Sequence, residues 1–262
     1  MKRLPLLTMA VLLSVSVFAQ QEDSKVKVDL SAGYTLSTYF ARQELPADVS
    51  FRLPDQYYSL KSGYSVRFGL EVPLKERLSL RTGLSYARQT AGAAEQTVRQ
   101  TGDSTCSVDY SEKTTAHNFC LPVMVKYAIP VRENSRFEVA AGPYLNVTAG
   151  GKLTGKGSYA YSTGINYTEK MEFDPWKNDK KSVYKQMLSD DFVQEEVLYN
   201  GRIARRVDFG LSLELDYKVS RFYIGAAANF GLLNNVAPEI SELTGLSRRN
   251  FNLQIMIGYQ IN

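Results

Sequence analysis

Apolar and polar residues alternate with a period of two along most of this 262-residue chain, and no other feature constrains the fold as much. The pattern is typical of β-strands with two unlike faces. Between residues 207 and 218, for example, Val207, Phe209 and Leu211 alternate with Asp208 and Gly210. Eight such stretches begin near residues 26, 60, 77, 118, 137, 207, 222 and 251. Each reaches the ~9–11 residues that a tilted strand needs to cross a bilayer.

The connections between these stretches alternate in length. Short turns are expected at residues 73–76, 130–135 and 219–221, and long connections at 38–59, 90–116, 150–206 and 233–250. Short periplasmic turns and long outer loops characterise outer-membrane barrels. The sequence therefore predicts an all-β fold, an eight-stranded antiparallel up-and-down transmembrane β-barrel with long outer loops, in the cell outer membrane.

A soluble barrel of the lipocalin kind also alternates and is the competing fold. In this chain one face of every stretch is bulky and nearly free of charge, whereas the opposite face carries glycine, serine and charged residues. Aromatic residues lie near the ends of the stretches, where a transmembrane barrel has its interfacial girdles. They are Tyr64, Tyr86, Tyr127, Phe137, Tyr217, Phe222, Phe251 and Tyr259. These features favour the transmembrane barrel.

The N-terminus has the three parts of a secretory signal. Lys2 and Arg3 precede a short apolar segment at residues 4–17, and Ala19 completes a small-x-Ala cleavage site before Gln20. We therefore expect a signal peptide at 1–19 and an outer-membrane β-barrel domain at 20–262. Removing Lys2 and Arg3 lowers the number of basic residues from 31 to 29, against 27 acidic residues. A balance this even argues against nucleic acid as a partner.

Four short motifs connect the chain to a known family. They are NFCLPVMVKY at residues 118–127, AGPYL at 141–145, DFGL at 208–211 and NFGL at 229–232. With these motifs the mature chain resembles the small outer-membrane β-barrel family of the PorT type, which groups with the OmpA-like eight-stranded barrels. The resemblance implies a cell-envelope barrel without a defined activity.

Alternation also places one set of charged residues inside the barrel. Eight strands leave an interior that side chains just fill, and an unpaired charge there costs several kcal/mol. Both signs of charge occur at inward positions, so we predict a paired lumen charge network and no general pore. Its members are Arg67, Arg81, Lys126, Glu138, Asp208 and Glu214. Inward glycines are expected to make room for the long arginine and lysine side chains.

The sequence carries no catalytic signature. His117 is the only histidine, and its parity places it on the lipid side or at the rim, without a partner that would make it a general base. Cys106 and Cys120 fall on one strand if the chain reverses at 101–103, about 46 Å apart at about 3.3 Å per residue. A disulfide needs Cα atoms within roughly 7 Å, so two free thiols are expected unless the loop folds over. We predict no catalytic residue, no metal site and no cofactor.

The third long connection, residues 150–206, is rich in aromatic and acidic side chains. Residues 182–197 are predicted to form a short amphipathic helix, with Val183, Met187 and Phe192 near one face. The acidic residues are interpreted as solvated charges because EF-hand spacing is absent, and a calcium site is the alternative. The aromatic residues either pack the loop onto the barrel mouth or form a binding surface, since long loops on a rigid scaffold often carry function.

These expectations describe a non-enzymatic outer-membrane barrel whose structural or surface-interaction role is carried by its outer loops. The expected partners are outer-membrane lipid, the barrel assembly machinery and an envelope protein that contacts residues 150–206. Two alternatives stay open. One is a component of an envelope secretion or assembly complex, and the other is a barrel enzyme acting on lipid or peptide.

Overall fold

The computed structural model describes residues 26–43, 57–101, 104–188 and 193–261. The predicted signal peptide at 1–19 lies outside the described residues, as does most of the first long connection. The described residues form strands β1 to β11 and one helix, α1. The strands are β1 Lys27–Gln43, β2 Tyr57–Lys75, β3 Leu78–Thr101, β4 Ser104–Arg132, β5 Ser135–Tyr161, β6 Asn166–Phe173, β7 Asp179–Met187, β8 Val193–Gly201, β9 Val207–Val219, β10 Phe222–Gly231 and β11 Leu246–Gln260, and α1 is Pro238–Thr244.

Eight of these strands close into a ring. The antiparallel order is β1, β2, β3, β4, β5, β9, β10 and β11, and β11 pairs again with β1. Tyr34 of β1 shows the closure, since it pairs with Ile255 of β11 on one side and with Tyr64 of β2 on the other. The predicted eight-stranded up-and-down barrel is therefore confirmed. Closure leaves no free strand edge within the ring.

The two faces of the ring differ as the alternation predicts. Along β9, Phe209, Leu211 and Leu213 are exposed, whereas Asp208 and Glu214 are buried in the lumen. Exposed apolar side chains around a closed ring present a surface suited to lipid. The short connections are also in their predicted places, because two-residue turns follow Lys75, Arg132 and Val219.

Aromatic side chains form contacts on the outer face at both ends of the ring. The contacts, with ring centroids 4.9–5.6 Å apart, are Phe137–Tyr217 and Phe222–Tyr259 at the periplasmic end and Tyr86–Phe119 and Phe230–Phe251 at the other. On β10 and β11 the two girdles are about 26 Å apart along the strand, at about 3.3 Å per residue. A strand tilt of ~35–45° reduces this distance to about 20 Å along the membrane normal, which is comparable with the ~25 Å apolar band of outer-membrane barrels.

The long outer connections contain more structure than the sequence predicts. Strands β3 and β4 continue through residues 90–116 as a paired hairpin, from Thr90 opposite Thr115 up to Thr101 opposite Ser104. Upper β5 continues beyond the ring and pairs with β6, which pairs with β7, which pairs with β8. We call β6, β7 and β8 the sheet extension.

The helix predicted at residues 182–197 is wrong, because this segment belongs to β7 and β8. Lys181 and Val183 are buried, whereas Lys180 and Tyr184 are exposed, so the period is two and not 3.6. Pairing with β6 supplies the backbone hydrogen bonds that an isolated segment would find in a helix. Phe192, assigned to the helix face, lies outside the described residues.

Helix α1 lies in the connection at 233–250, where no helix was predicted. Pro238 is in its first turn, and Gly245 ends it in the left-handed conformation, with φ 64°. Across the described ranges, no helix has the length and apolar character needed to span a membrane.

Candidate functional site in the lumen and at the extracellular end

The centre of the lumen is a charge network around Arg81, which is 2 % exposed. Its guanidinium donates hydrogen bonds to Glu214, to Asp216 at 2.6 Å and to Asp29 at 3.2 Å. Arg67 donates to the two oxygens of the Glu214 carboxylate at 2.6 and 3.0 Å. Two guanidinium groups thus face three carboxylates, and a buried charge is tolerated only when it is paired and hydrogen-bonded in this way.

Tyr223 joins the members of this network. Its hydroxyl donates to Asp29 at 2.7 Å and accepts from Arg81 at 3.1 Å. The ring lies against Gly258, where an added Cβ would be 2.2 Å from Cζ of Tyr223. A Cβ at Gly225 would lie 1.9 Å from Oδ1 of Asp216. These glycines therefore make room for an aromatic ring and a carboxylate, and not for the long basic side chains that the sequence suggested.

A second network lies nearer the periplasmic turns and is centred on Lys126. Its ammonium group donates to Glu71 and, at 2.8 Å, to Glu138. Arg136 closes the group by donating to the other oxygen of Glu138 at 2.5 Å. Lys126 is 2 % exposed and Glu138 is 3 % exposed, so both charges are removed from water and paired.

The structure places the six predicted network residues in three groups. Arg67, Arg81 and Glu214 are in contact, and Lys126 and Glu138 form the separate lower pair. Asp208 lies in the upper lumen. It accepts from neutral groups, the hydroxyl of Tyr144 at 3.2 Å and the amide of Asn250 at 2.9 Å.

The upper lumen is filled by amide and hydroxyl groups that are not members of the predicted charge network. Asn118 donates to Gln89 at 2.7 Å and accepts from Thr148 at 2.7 Å, and Asn252 donates to Ser37 at 2.7 Å. The sequence does contain a signal for these residues, because the period-two alternation places them at inward positions. Neutral groups of this kind satisfy one another's hydrogen bonds without a buried charge.

Three connections cover the extracellular mouth of the lumen, and we call residues 174–176, 203–206 and 234–237 the cap. The backbone nitrogens of Ile203 and Ala204 donate to the carbonyl of Pro175 at 2.8 and 3.0 Å. The nitrogen of Ala237 donates to the carbonyl of Ile203 at 2.7 Å. Trp176, 6 % exposed, donates from its indole to a carbonyl of the same cap at 3.1 Å. The cap thus separates the lumen from the exterior.

The model of the outer membrane protein beta-barrel domain family matches residues 18–237. The chain belongs to this family. Together with the closed ring, the match places this outer-membrane barrel in the cell outer membrane.

Several solved structures resemble this barrel at low identity, and no curated protein sequence matches it. The attachment invasion locus protein Ail of Yersinia pestis, solved with a heparin analogue, is 12 % identical with a TM-score of 0.34, covering 90 % of this chain and 99 % of that one. Neisserial surface protein A is 10 % identical with a TM-score of 0.33, covering 90 % and 98 %. The outer membrane protease OmpT from Escherichia coli is 9 % identical with a TM-score of 0.32, covering 92 % and 98 %.

The histidine and the cysteines of this barrel lie apart from one another. His117 lies on the outer face and is not without a partner, because its Nδ1 is 2.7 Å from the hydroxyl of Tyr86 and the two rings stack. Cys106 and Cys120 both lie on β4 and are free thiols, as predicted. Cys106 is buried in the upper hairpin, and Cys120 is on the lumen-facing parity of β4.

Acidic residues of the connection at 150–206 are mostly engaged in local pairs. Glu195 lies 3.6 Å from Lys180, and Glu196 lies 2.5 Å from Lys185, between strands of the sheet extension. Asp174 accepts from the backbone nitrogen of Trp176 at 2.9 Å. Within the described ranges, no three histidine, cysteine or acidic side chains are grouped as a metal site would require.

We expect the purified barrel to show little steady conductance in planar lipid bilayers. Two cavities of about 30 and 20 Å³ lie in the upper lumen, so each has room for about one water molecule. The charge networks fill the lumen below them. Large, stable, ohmic channels from the wild-type protein would contradict this expectation.

Proposed function

We propose that this outer-membrane barrel has a non-enzymatic, structural or surface-interaction role carried by its outer loops, through residues 150–206. We also propose that it is a PorT-type barrel, and the four sequence motifs described above support this assignment. The observation that supports an interaction role is the sheet extension, because it continues an antiparallel sheet beyond the ring and ends in an exposed strand.

Strand β8 is the last strand of the sheet among the described residues. Its inner edge pairs with β7, from Val193 opposite Gln186 to Gly201 opposite Asp179. Among the described strands, none pairs with its outer edge. Such an edge presents backbone donors and acceptors in the register that an added strand requires.

The side chains of β8 are exposed on both faces. Val193 is 59 % exposed and Val197 is 48 % exposed, on the same face of the strand. Glu195 lies between them on that face and Glu196 on the other, and both carboxylates are about half exposed. A strand with valines and carboxylates suits an extended partner that offers apolar and basic side chains.

We therefore propose strand addition to β8 by an extended segment of an envelope or extracellular protein. A second copy of β8 fits less well, because antiparallel self-pairing would bring two sets of carboxylates together, and like charges facing each other across strands are unfavourable. The proposed partner is a segment in which valine-like residues alternate with lysine or arginine.

The test uses the barrel in nanodiscs of zwitterionic lipid and labelled synthetic peptides. A peptide that alternates valine with lysine is expected to bind, as measured by fluorescence anisotropy. A peptide that alternates valine with glutamate should bind more weakly, because its carboxylates would be repelled by those of Glu195 and Glu196. Placing prolines in the valine–lysine peptide should abolish binding, since proline removes backbone donors. The double variant V193K/V197K should lower the affinity of the barrel for the valine–lysine peptide by about tenfold or more, equivalent to about 1.4 kcal/mol.

A matched control replaces two exposed apolar residues elsewhere on the extracellular side. Val98 on β3 is 69 % exposed and Ile165 in the β5–β6 turn is 50 % exposed. V98K/I165K adds the same charge away from β8 and should leave peptide binding unchanged. Equal loss of binding in both double variants, or binding that tolerates proline, would exclude strand addition at β8.

A further inference from the structure

A cavity of about 440 Å³ lies outside the cap, on the extracellular side. Its walls are formed by β1, the extended β3, β4, β5 and β6, β8, α1 and the start of β11. Its floor is the cap, including Trp176. The volume is within the ~300–1,000 Å³ typical of pockets for small molecules.

Part of the cavity lining is apolar. Leu153, Met171 and Phe173 line it from β5 and β6, and Val236 and Ile240 line it from the cap and α1. Leu153 is 7 % exposed and Val236 is 4 % exposed, so these side chains contact the empty space and little bulk water. A ligand body of aromatic or aliphatic character would remove this surface from water on binding.

The charged residues of the lining, which lie among the apolar ones, are mostly acidic. Three carboxylates line it, those of Glu95, Glu112 and Glu169, against one guanidinium, that of Arg248. Glu95 is 4 % exposed. Arg248 lies 3.5 Å from Glu112 and therefore offsets one of the three negative charges. The lining thus has a net formal charge of −2.

Two tyrosines hold the carboxylates in position. The hydroxyl of Tyr159 donates to Glu169 at 2.5 Å, and that of Tyr110 donates to Glu112 at 3.3 Å. Both tyrosines lie beyond the upper aromatic girdle. Burial, reinforced by the neighbouring carboxylates, raises the pKa of Tyr110 and of Tyr159 above the usual value, so the phenols stay protonated and neutral. Their rings add faces to which a cation is attracted.

We propose that this cavity binds an amphipathic organic cation, an amine or quaternary ammonium group attached to an aromatic or aliphatic body. The cationic group would lie among Glu112, Glu169 and the two tyrosine rings, and the apolar body against Met171 and its neighbours. An anion of the same size would meet a net negative lining. Leu198 of β8 lines the cavity, but Val193 and Val197 do not, so cation binding and strand addition are tested by different variants.

Trp176 makes the test direct, because it is the only tryptophan of the chain and lines the cavity. The barrel in zwitterionic nanodiscs is titrated with benzyltrimethylammonium while the tryptophan emission is recorded. The same titration uses 4-phenylbutyrate as an anion, 3-phenylpropanol as a neutral analogue and lactose as a neutral sugar. The expected result is saturable binding of the cation, with at least tenfold weaker binding of the other three probes.

Glu169→Gln removes one cavity charge with little change in shape and should weaken cation binding at least fivefold. Glu172→Gln is the matched control, since Glu172 lies on the opposite face of the same strand, 64 % exposed and paired with Lys152 at 2.6 Å. Glu112→Gln provides a second cavity variant if E169Q does not fold, as judged by migration of unheated samples in detergent gels. Equal effects of E169Q and E172Q, preferred binding of the sugar or the anion, or no saturable signal from the cation would overturn the proposal.

Discussion

Replacing Arg81 with alanine is expected to lower the free energy of unfolding of the barrel by about 3–5 kcal/mol. The guanidinium is the common partner of Asp29, Glu214 and Asp216. Its loss leaves Asp29 and Asp216 without a basic partner among the described ion pairs, and both are at most 4 % exposed. Equilibrium urea unfolding in lipid vesicles, followed by circular dichroism, measures the change.

The control for Arg81→Ala is Lys152→Ala, which removes an ion pair from the outer surface of the extracellular sheet. Lys152 and Glu172 have side chains 54 % and 64 % exposed, so their pair contributes less than about 1 kcal/mol. If the two variants lose the same free energy of unfolding, the lumen network does not stabilise the barrel in the way its geometry indicates.

Replacing Gly142 with valine is expected to prevent or severely impair folding of the ring. A Cβ at this position would lie 2.1 Å from the carbonyl oxygen of Val123 and 2.8 Å from Cα of Met124. These are backbone atoms of β4 and cannot rotate away, so β4 and β5 would have to separate. Overpacking of this kind typically costs about 1–3 kcal/mol and sometimes more. The unheated protein should lose its compact migration in a detergent gel.

Ala141→Val provides the comparison, because Ala141 is the adjacent residue of β5 and is exposed on the outer face. It adds bulk where the structure has space, so folding and gel migration should match those of the wild type. Normal folding of both variants would mean that β4 and β5 are farther apart at this point than the structure shows.

The alternation predicted the ring and most of its inner charges because the membrane imposes two unlike environments on each strand. Where a strand leaves the bilayer, its two faces no longer meet such different environments, and the two-residue alternation of apolar and polar residues is lost. In β3, for example, residues 91–93 are buried in succession, so the hairpin that extends β3 and β4 was interpreted as a loop. The sheet extension also lies outside the bilayer, so its strands could not be predicted from the alternation.

The cap and the cavity above it could not be predicted from the sequence. They depend on backbone hydrogen bonds between segments far apart in the chain, such as that from Ala237 to Ile203. Every residue type offers nearly the same backbone groups, so the sequence does not indicate which of them are hydrogen-bonded to each other. The three carboxylates of the cavity come from β3, β4 and β6, and only the register of those strands brings them to one wall.

Strand β5 of the ring also pairs with β6 and so joins the ring to the sheet extension. Its lower half pairs with β9 up to Val147, and its upper half pairs with β6 from Leu153. A mechanical pull on a partner bound at β8 would therefore load the outermost strand first and open its hydrogen bonds one after another. Part of the load would also pass along the chain, because only residues 202–206 separate the end of β8 from ring strand β9. With a partner bound at β8, the hydrogen bonds between β8 and β7 would thus open before those of the closed ring, whose strands are paired on both edges.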